Sequence, residues 1–262
     1  MDKKSLLWSL EKDSHHFSYL FGTIHIHHEK IHPLTTSIFP FIKACDAFAA
    51  EIDIDQSSYE KVLPYLLLPD GETLIDVMNK KSFDKLVSIL RKSFSISLEE
   101  RKQLKPFVLA HEINLAMLGQ VEGMSMDEVI WRMAKEENKR CFGLEDIWEH
   151  YKVLNEIPVQ YQCKMLMNQI SNLSKFKRQN KQLIKKYLAS DIGFIYKFGR
   201  KALGKLKRKM LYDRNEIMAT KIIEETRRQT TFFSCGTAHL DGKFGLLNLL
   251  KKQEYLVKPV RY

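Results

Sequence analysis

Hydrophobic and polar positions near the amino terminus follow the period of β-structure. Two short runs rich in apolar and aromatic residues, LLWSL and FSYLFGTI, flank a polar segment from Glu11 to His16, which predicts a hairpin that leads into a buried strand. Ile38, Phe41 and Ile42 then recur at helical spacing, and the small apolar run of DAFAAEIDID predicts the next strand. A strand, a helix and a strand in about thirty residues predict a βαβ unit with parallel strands and a right-handed crossover.

The carboxyl-terminal part of the chain shows the same alternation of elements. LYDRNEIMATKIIEETRRQ has an amphipathic pattern with Ile217, Ile222 and Ile223 on its apolar side. A strand (TTFFSCGTAHL), a helix (GKFGLLNLLKKQ) and a last strand (EYLVKPV) follow, which predicts a second βαβ unit. Because GTIH and GTAH each end a predicted strand, the two halves of the chain are candidates for pseudo-symmetry.

The middle of the chain, from Tyr59 to about Lys209, has a mainly helical pattern. Ser97 with Glu100, and Ser125 with Glu128, have the spacing of capping boxes at helix starts. KRCFGLED interrupts the helices with a short apolar burst that predicts a third core strand.

Together these elements predict an α/β fold with a central, mainly parallel or mixed sheet and a large helical insertion. We expect a single domain over residues 1–262. Its core would comprise residues 5–58, 141–148 and 211–262, and the insertion would comprise about 59–140 and 149–210.

Charge changes this picture in one segment only. The net charge is +10, and residues 175–209 contain thirteen Lys or Arg against the single acid Asp191, so the remainder is nearly balanced. The aromatic residues of this segment, such as Tyr187 and Tyr196, are interleaved with the cations, which is compatible with binding to single-stranded nucleic acid or to an anionic membrane. Their helical spacing favours instead a buried stripe with a solvated basic face, and the sequence gives no clear indication of nucleic acid.

The four cysteines lack the spacing of a disulfide framework or a zinc ribbon, which favours a reducing compartment. The apolar stretch near the amino terminus is broken by Glu11, so the sequence shows no signal-peptide core, and no later run predicts a transmembrane segment. We therefore expect a cytoplasmic protein, or an exported one if a leader has been removed.

Polar residues with catalytic potential follow the predicted strands. Ligands of open parallel sheets bind beyond the carboxyl ends of the strands, and four candidates fall there: His25, Glu51, Glu145 and His239. Two imidazoles with one or two carboxylates suit zinc, manganese, cobalt or iron, and a metal ion bound there would acidify a water molecule for hydrolysis.

Each of these histidines follows a glycine by three residues. Gly22 and Gly236 lack a Cβ atom, and we expect them to leave room for a bound group against the backbone. Arg214 is expected either to stabilise a developing oxyanion or to orient Glu145; the alternative is a surface ion pair with a neighbouring acid.

Several further polar residues have weaker claims. His27, His28 and His32 follow the first motif at irregular spacing and are expected to be solvated. Asp53 and Asp55 are expected to cap the segment after Glu51, and Asp241 is a candidate hydrogen-bond acceptor for His239.

An ordered set of motifs from Leu7 to about Val260 resembles the TraB/GumN family, which includes TraB/PrgY proteins and the TIKI proteases. The set comprises LWSLEKDSHHFSYLFGTIHIHHEKIHPL, AEIDID, LLLPDGETL, KPFVLA, CFGLED, DRNEIMATKI and SCGTAHLDGKFGLLNLLKKQEYLVKPV. The resemblance implies a TIKI-type α/β core related to erythromycin-esterase-like proteins, with His25, Glu51 and His239 at the metal or catalytic positions. Glu145 and Arg214 match further polar positions. At the last turn the family has a glycine where this chain has Glu254.

The residues and the resemblance together predict a metal-dependent hydrolase that acts on a peptide or amide bond, with a peptide or a small molecule as its substrate. In that hypothesis His25, His239 and Glu51 are metal ligands and Glu51, Glu145 and Arg214 are catalytic. Two alternatives stay open: a non-catalytic module that binds haem or an anionic ligand, and a signalling or interaction protein. The identity of the metal, the substrate and the oligomeric state are left open by the sequence.

Overall fold

The computed structural model describes residues 4–12, 17–24, 29–56, 59–94, 96–117 and 124–262. Six strands form one sheet: β1 (Leu7–Glu11), β2 (Ser18–Thr23), β3 (Ala47–Ile52), β4 (Arg140–Glu145), β5 (Thr231–Gly236) and β6 (Leu256–Pro259). Twelve α-helices occur in the described ranges: α1 (His32–Lys43), α2 (Tyr59–Leu66), α3 (Leu74–Val77), α4 (Lys80–Ser93), α5 (Pro106–Met117), α6 (Met126–Glu136), α7 (Ile147–Asn155), α8 (Val159–Ile170), α9 (Leu173–Leu188), α10 (Ile192–Leu203), α11 (Arg214–Thr226) and α12 (Leu246–Lys252).

The sheet is mixed, with strand order β4-β3-β5-β2-β1-β6. β4, β3, β5 and β2 are parallel neighbours, whereas β1 is antiparallel to both β2 and β6. The predicted α/β class and the predicted amino-terminal hairpin are therefore confirmed, as is the third core strand, which is β4.

Both predicted crossovers occur, but the strands that they join are not adjacent. β5 lies between β2 and β3, and β2 and β1 lie between β5 and β6. The carboxyl-terminal β5 thus inserts into the sheet between strands from the amino-terminal part, a pairing that local periodicity does not encode. The two crossovers pass different numbers of strands and do not occupy equivalent positions.

Aromatic side chains fill the interior beside the central strands. Phe48 of β3 stacks on Phe232 of β5, with ring centroids 6.1 Å apart, and meets Trp131 of α6 edge to face at 5.9 Å. Phe48, Phe232 and the neighbouring Phe233 are fully buried. Side chains of a strand alternate between faces, so Glu51, three residues after Phe48, points away from α6.

Only one of the two predicted capping boxes lies at the start of an α-helix. Ser125 and Glu128 form one at the start of α6: the Ser125 amide donates to the Glu128 carboxylate at 2.6 Å, and the Glu128 amide donates to the Ser125 hydroxyl at 3.3 Å. The prediction for Ser97 was wrong, because only a short 3-10 turn (Glu99–Arg101) follows it. α5 begins at Pro106, which fits the first turn of a helix but not its interior.

The buried side of α11 also differs from its prediction. Ile222 is fully buried, but Ile217 is 55% exposed. The inward face is instead formed by Arg214, Asn215, Met218, Ala219, Ile222 and Glu225. Three of those six residues are polar, and a hydrophobic pattern assigns such residues to the solvent side.

The basic segment is helical throughout α9 and α10. Tyr187 is fully buried and Tyr196 is 7% exposed, as expected for a buried aromatic stripe. None of the described helices combines the length and the hydropathy that a membrane span requires.

Contacts between Cα atoms divide the chain into two compact units. The sheet unit contains residues 1–56, 123–150 and 183–262, and the helical unit contains residues 57–122 and 151–182. These bounds assign α6 and α10 to the sheet unit. The helical unit has its own buried cluster, which includes Leu86, Leu109 and Leu166.

Candidate functional site

The carboxyl ends of the four parallel strands meet at one edge of the sheet unit. Glu145 at the end of β4 is the register partner of Ile52, and Thr23 at the end of β2 is the partner of Gly236 at the end of β5. This order places Glu51 beside the segment that follows β5, where a 3-10 turn (Thr237–His239) carries His239. Glu51, Glu145, Arg214 and His239 are each 6–8% exposed, so their charges depend on partners within the protein.

Arg214 bridges the two glutamates. Its Nε donates to both carboxylate oxygens of Glu145, at 3.1 and 3.0 Å, and its Nη2 donates to Glu51 and to Glu145. Arg214 is the first residue of α11 and directly follows a π-helix (Arg208–Asp213). π-Helical turns are rare in proteins as a whole, but those that occur are often found at functional sites. The alternative of a surface ion pair is therefore wrong for this buried residue. Of the two predicted roles of Arg214, its contacts favour the one in which it orients Glu145.

Burial and charge act in opposite directions on the bridged groups. Desolvation raises the pKa of Glu145; the hydrogen bond and charge of Arg214 lower it, and the nearby Glu51 raises it further. For Arg214, burial lowers the pKa, but the two glutamates outweigh this and hold it above its usual range. We therefore expect Arg214 to be charged and Glu145 to bind a proton more readily than an ordinary glutamate.

Gly236 contributes its backbone to the site. Its amide donates to Oε2 of Glu51 at 2.8 Å, so the second carboxylate oxygen of Glu51 is held by the end of the neighbouring strand. Gly22 has a different contact: a Cβ atom there would lie 2.7 Å from Leu240 Cδ1 and 2.8 Å from Thr237 Oγ1. The glycine of the first motif thus allows the turn that carries His239 to pack against β2.

His239 is held by a hydrogen bond at one ring nitrogen. Nδ1 lies 2.6 Å from Oδ1 of Asn215, while Nδ2 of Asn215 donates to the backbone oxygen of Phe244 at 2.6 Å. Since the amide nitrogen already donates, the amide oxygen accepts, and we assign the proton of a neutral His239 to Nδ1. Nε2 then has a lone pair and lies 3.9 Å from Oε1 of Glu51.

Asn215, rather than Asp241, is the hydrogen-bond partner seen at Nδ1 of His239. The sequence interpretation missed Asn215 because it lies in the helix that follows Arg214, with no local pattern to link it to a histidine 24 positions later. Of the two aspartates after β3, Asp53 caps the next segment as expected, whereas Asp55 contacts side chains of α6 instead. Oδ1 of Asp53 accepts from the Asp55 amide at 3.0 Å, and Asp55 accepts from Trp131 and Lys135.

His150 is a second residue that the sequence interpretation missed. Asp146 accepts from the amides of Trp148 and Glu149 and thereby starts α7, which places His150 one turn later. Ligand-type atoms of Glu51, Glu145 and His150 all lie within 4.8 Å of one another. The only local signal was the position of a histidine one turn after the strand-end acids.

The donors of this site fit a divalent metal ion by type, since zinc and related ions bind imidazole nitrogen and carboxylate oxygen. Ligands about 2.1 Å from a tetrahedral ion lie roughly 3.4 Å apart, close to the 3.9 Å between His239 Nε2 and Glu51 Oε1. An ion shared by Glu51 and His239 would bind Oε1 of Glu51, the oxygen that also accepts from Nη2 of Arg214.

The remaining predicted ligand is His25. It lies outside the described residues, as do His27, His28 and the side chain of His32. The last described residue of that segment is Ile24, which follows the register partner of Gly236.

These features define an α/β protein with a buried carboxylate–arginine–carboxylate cluster and a hydrogen-bonded histidine at the carboxyl edge of a mixed sheet. The chain belongs to the TraB/PrgY/gumN family, whose sequence model matches residues 6–259. Comparisons with curated proteins and with solved structures give no match.

Proposed function

We propose that this protein is a metal-dependent hydrolase that acts on a peptide or amide bond. The observation that carries the proposal is the geometry of His239: its Nδ1 is held by Asn215, and its Nε2 lies 3.9 Å from Oε1 of Glu51. A histidine fixed at one nitrogen by a hydrogen-bond acceptor is the usual arrangement of a metal-ligating imidazole.

In this proposal Glu51 and His239 hold the ion, and His25 is the further nitrogen ligand that the paired motifs imply. Glu145 and His150 form the competing set around Glu51. A bound divalent ion supplies polarisation of a carbonyl group and an acidified water molecule.

The chain's own groups would position and transfer protons. Arg214 fixes both carboxylates through its hydrogen bonds, which keeps Glu51 in place for binding. Glu145 has a raised pKa, so it binds a proton more readily than an ordinary glutamate, a property that suits a carboxyl group to proton transfer.

The test is elemental analysis of protein purified without a histidine tag, combined with thermal unfolding in the presence of zinc, manganese or cobalt. We expect close to one ion per chain and a rise in Tm, because a ligand at about 100 times its Kd stabilises the folded state by roughly 2.7 kcal/mol. The rise should be lost in Glu51→Gln and in His239→Ala and kept in His111→Ala, a change at an exposed histidine.

Loss of the Tm shift in His150→Ala but not in His239→Ala would assign the ion to the Glu51–Glu145–His150 set instead. Metal-free protein whose Tm does not respond to any of the three ions would contradict the metal-dependent mechanism. Metal binding without cleavage of a peptide library would contradict the hydrolase.

A further inference from the structure

A shallow, open surface whose lining residues are almost all basic lies at the end of α10. Five basic residues and one glycine line a cavity of about 700 Å³: Lys197, Arg200, Lys201, Gly204, Lys205 and Lys207. All five basic residues are exposed, and none of them belongs to the carboxylate–arginine site. We call this surface the cationic cradle.

Gly204 separates the helical residues of the cradle from those that follow α10. It ends α10 with φ 54° and ψ −117°, a backbone conformation essentially restricted to glycine. The chain then continues into a 3-10 turn (Gly204–Leu206), and Lys205 and Lys207 line the same surface as Lys197 and Lys201 of α10.

The other side of α10 fixes the helix against the sheet unit. Ile192, Ile195 and Tyr196 are buried, and a Cβ atom at Gly199 would lie 3.2 Å from Ala238 Cβ in the turn that carries His239. The charged side of α10 is therefore presented to solvent by a helix whose orientation is set by packing.

The cations of the cradle have few acidic neighbours. Across the described ranges, no carboxylate forms an ion pair with Lys197, Lys201, Lys205 or Lys207; the nearby Asp213 pairs with Arg208 at 3.6 Å. Arg200 has its guanidinium 5.5 Å from the centre of the Tyr196 ring, which restrains it near the cavity. Like charges gathered on one surface repel one another and raise the local concentration of anions.

We propose that the cationic cradle binds a compact anion bearing several phosphate groups. Phosphate suits both cation types, because arginine offers a planar set of donors and lysine a mobile point charge. The open volume of about 700 Å³ beside these side chains leaves room for a compact anion to approach several of them. Free polyphosphates and phosphorylated lipid headgroups share this chemistry.

The experiment compares wild-type protein with the triple variant Lys197→Gln/Lys201→Gln/Lys205→Gln. The matched control, Lys80→Gln/Lys252→Gln/Lys258→Gln, removes the same charge from exposed lysines outside the cradle. Binding is measured at about 0.1 M salt, where exposed charges more than roughly 10 Å apart are largely screened. The two probes are sodium tripolyphosphate, by calorimetry, and phosphatidylcholine vesicles with phosphatidylinositol bisphosphate, by sedimentation.

We expect the triple variant to bind at least ten times more weakly and the control less than two times more weakly. Binding of tripolyphosphate identifies a free anion as the ligand type, and binding of the vesicles alone identifies a headgroup. Gly204→Ala, which keeps the charge but strains the turn, should also weaken binding at unchanged circular dichroism.

The proposal is overturned if neither probe binds, or if the triple variant and the control lose affinity equally. It is also overturned if vesicles with phosphatidylserine at matched charge bind as tightly, or if an oligouridine binds more tightly than tripolyphosphate, since either result indicates a general polyanion surface. None of these outcomes depends on metal binding by Glu51 and His239.

Discussion

At the residue scale, the candidate site depends on the balance between two buried carboxylates and one buried guanidinium. Glu51, Glu145 and Arg214 are each at most 8% exposed, so removing the single cation leaves two charges with little access to water. Loss of one partner from a buried ion pair costs about 3–5 kcal/mol because the remaining charge is uncompensated.

We therefore expect Arg214→Met to lower the free energy of unfolding by about 3–5 kcal/mol at neutral pH. A carboxyl group whose pKa is higher in the folded than in the unfolded protein stabilises the fold at pH values below its ordinary pKa of 4.5. This contribution is lost as the pH rises through the pKa of the folded state. Because Arg214 lowers the pKa of Glu145, its removal raises that pKa further, so the defect should be smaller at pH 5 than at pH 7.5.

Urea unfolding of Arg214→Met at the two pH values, followed by circular dichroism, measures this difference. Arg132→Met is the matched control, because Arg132 is exposed on α6; it should change stability by less than about 0.5 kcal/mol. An equal loss at both pH values would show that the destabilisation comes from packing and not from the charges.

At the scale of single elements, the end of α12 shows why Glu254 is an unusual residue for its position. Glu254, just after α12, has a φ of 66°. Its amide donates to the backbone oxygen of Lys251, and the amide of Tyr255 donates to the backbone oxygen of Leu250. These two bonds form a Schellman motif, in which the left-handed residue is usually glycine. The resemblance placed a glycine at this turn, and the backbone gives the physical reason.

Glu254→Gly should accordingly stabilise the protein by roughly 1 kcal/mol, the cost of left-handed backbone for a residue with a Cβ. The ion pair that is lost, with Lys12 at 4.0 Å and an 89% exposed Glu254 side chain, contributes little. Asn138→Gly is the comparison. Asn138 follows α6 in the same left-handed conformation, but asparagine tolerates that conformation better than glutamate does, so the gain in urea midpoint should be smaller. A decrease in stability of Glu254→Gly would contradict this account.

Helix starts offer a second test at this scale. Ser125→Ala removes the side chain that caps α6 and should cost about 1 kcal/mol. Ser97→Ala has the same chemistry without a helix to cap, and should change the urea midpoint within error. Equal effects of the two substitutions would contradict the conclusion that Ser125 caps a helix and Ser97 does not.

At the scale of the whole molecule, the two compact units each have a buried cluster of their own. Leu109 is fully buried in the helical unit, whereas Phe232 and Phe233 are fully buried at β5 in the sheet unit. Separate clusters allow local stability to differ between the units.

Leu109→Ala should cost about 2–5 kcal/mol through loss of apolar contacts and an unfilled cavity. We expect faster hydrogen exchange of backbone amides in α5 and α8, with little change in β3 and β5, as measured by mass spectrometry of peptides. Equal acceleration in all four elements would show that the units open together.

Features that depend on neighbouring residues could be predicted from the sequence. Period and flanking residues predicted the hairpin, the strand-end positions of Glu51 and Glu145 and the cap at Ser125, because strand alternation and capping are local. Membership of the family also follows from ordered motifs over residues 6–259.

Which of these residues meet depends on the packing of distant segments. The insertion of β5 between β2 and β3 brings the turn of His239 beside Glu51, and the polar inward face of α11 supplies both Arg214 and Asn215. His150 joins Glu51 and Glu145 only through the start of α7. Strand order and the choice of charge partners depend on contacts between distant segments, and a local hydrophobic period contains no information about them.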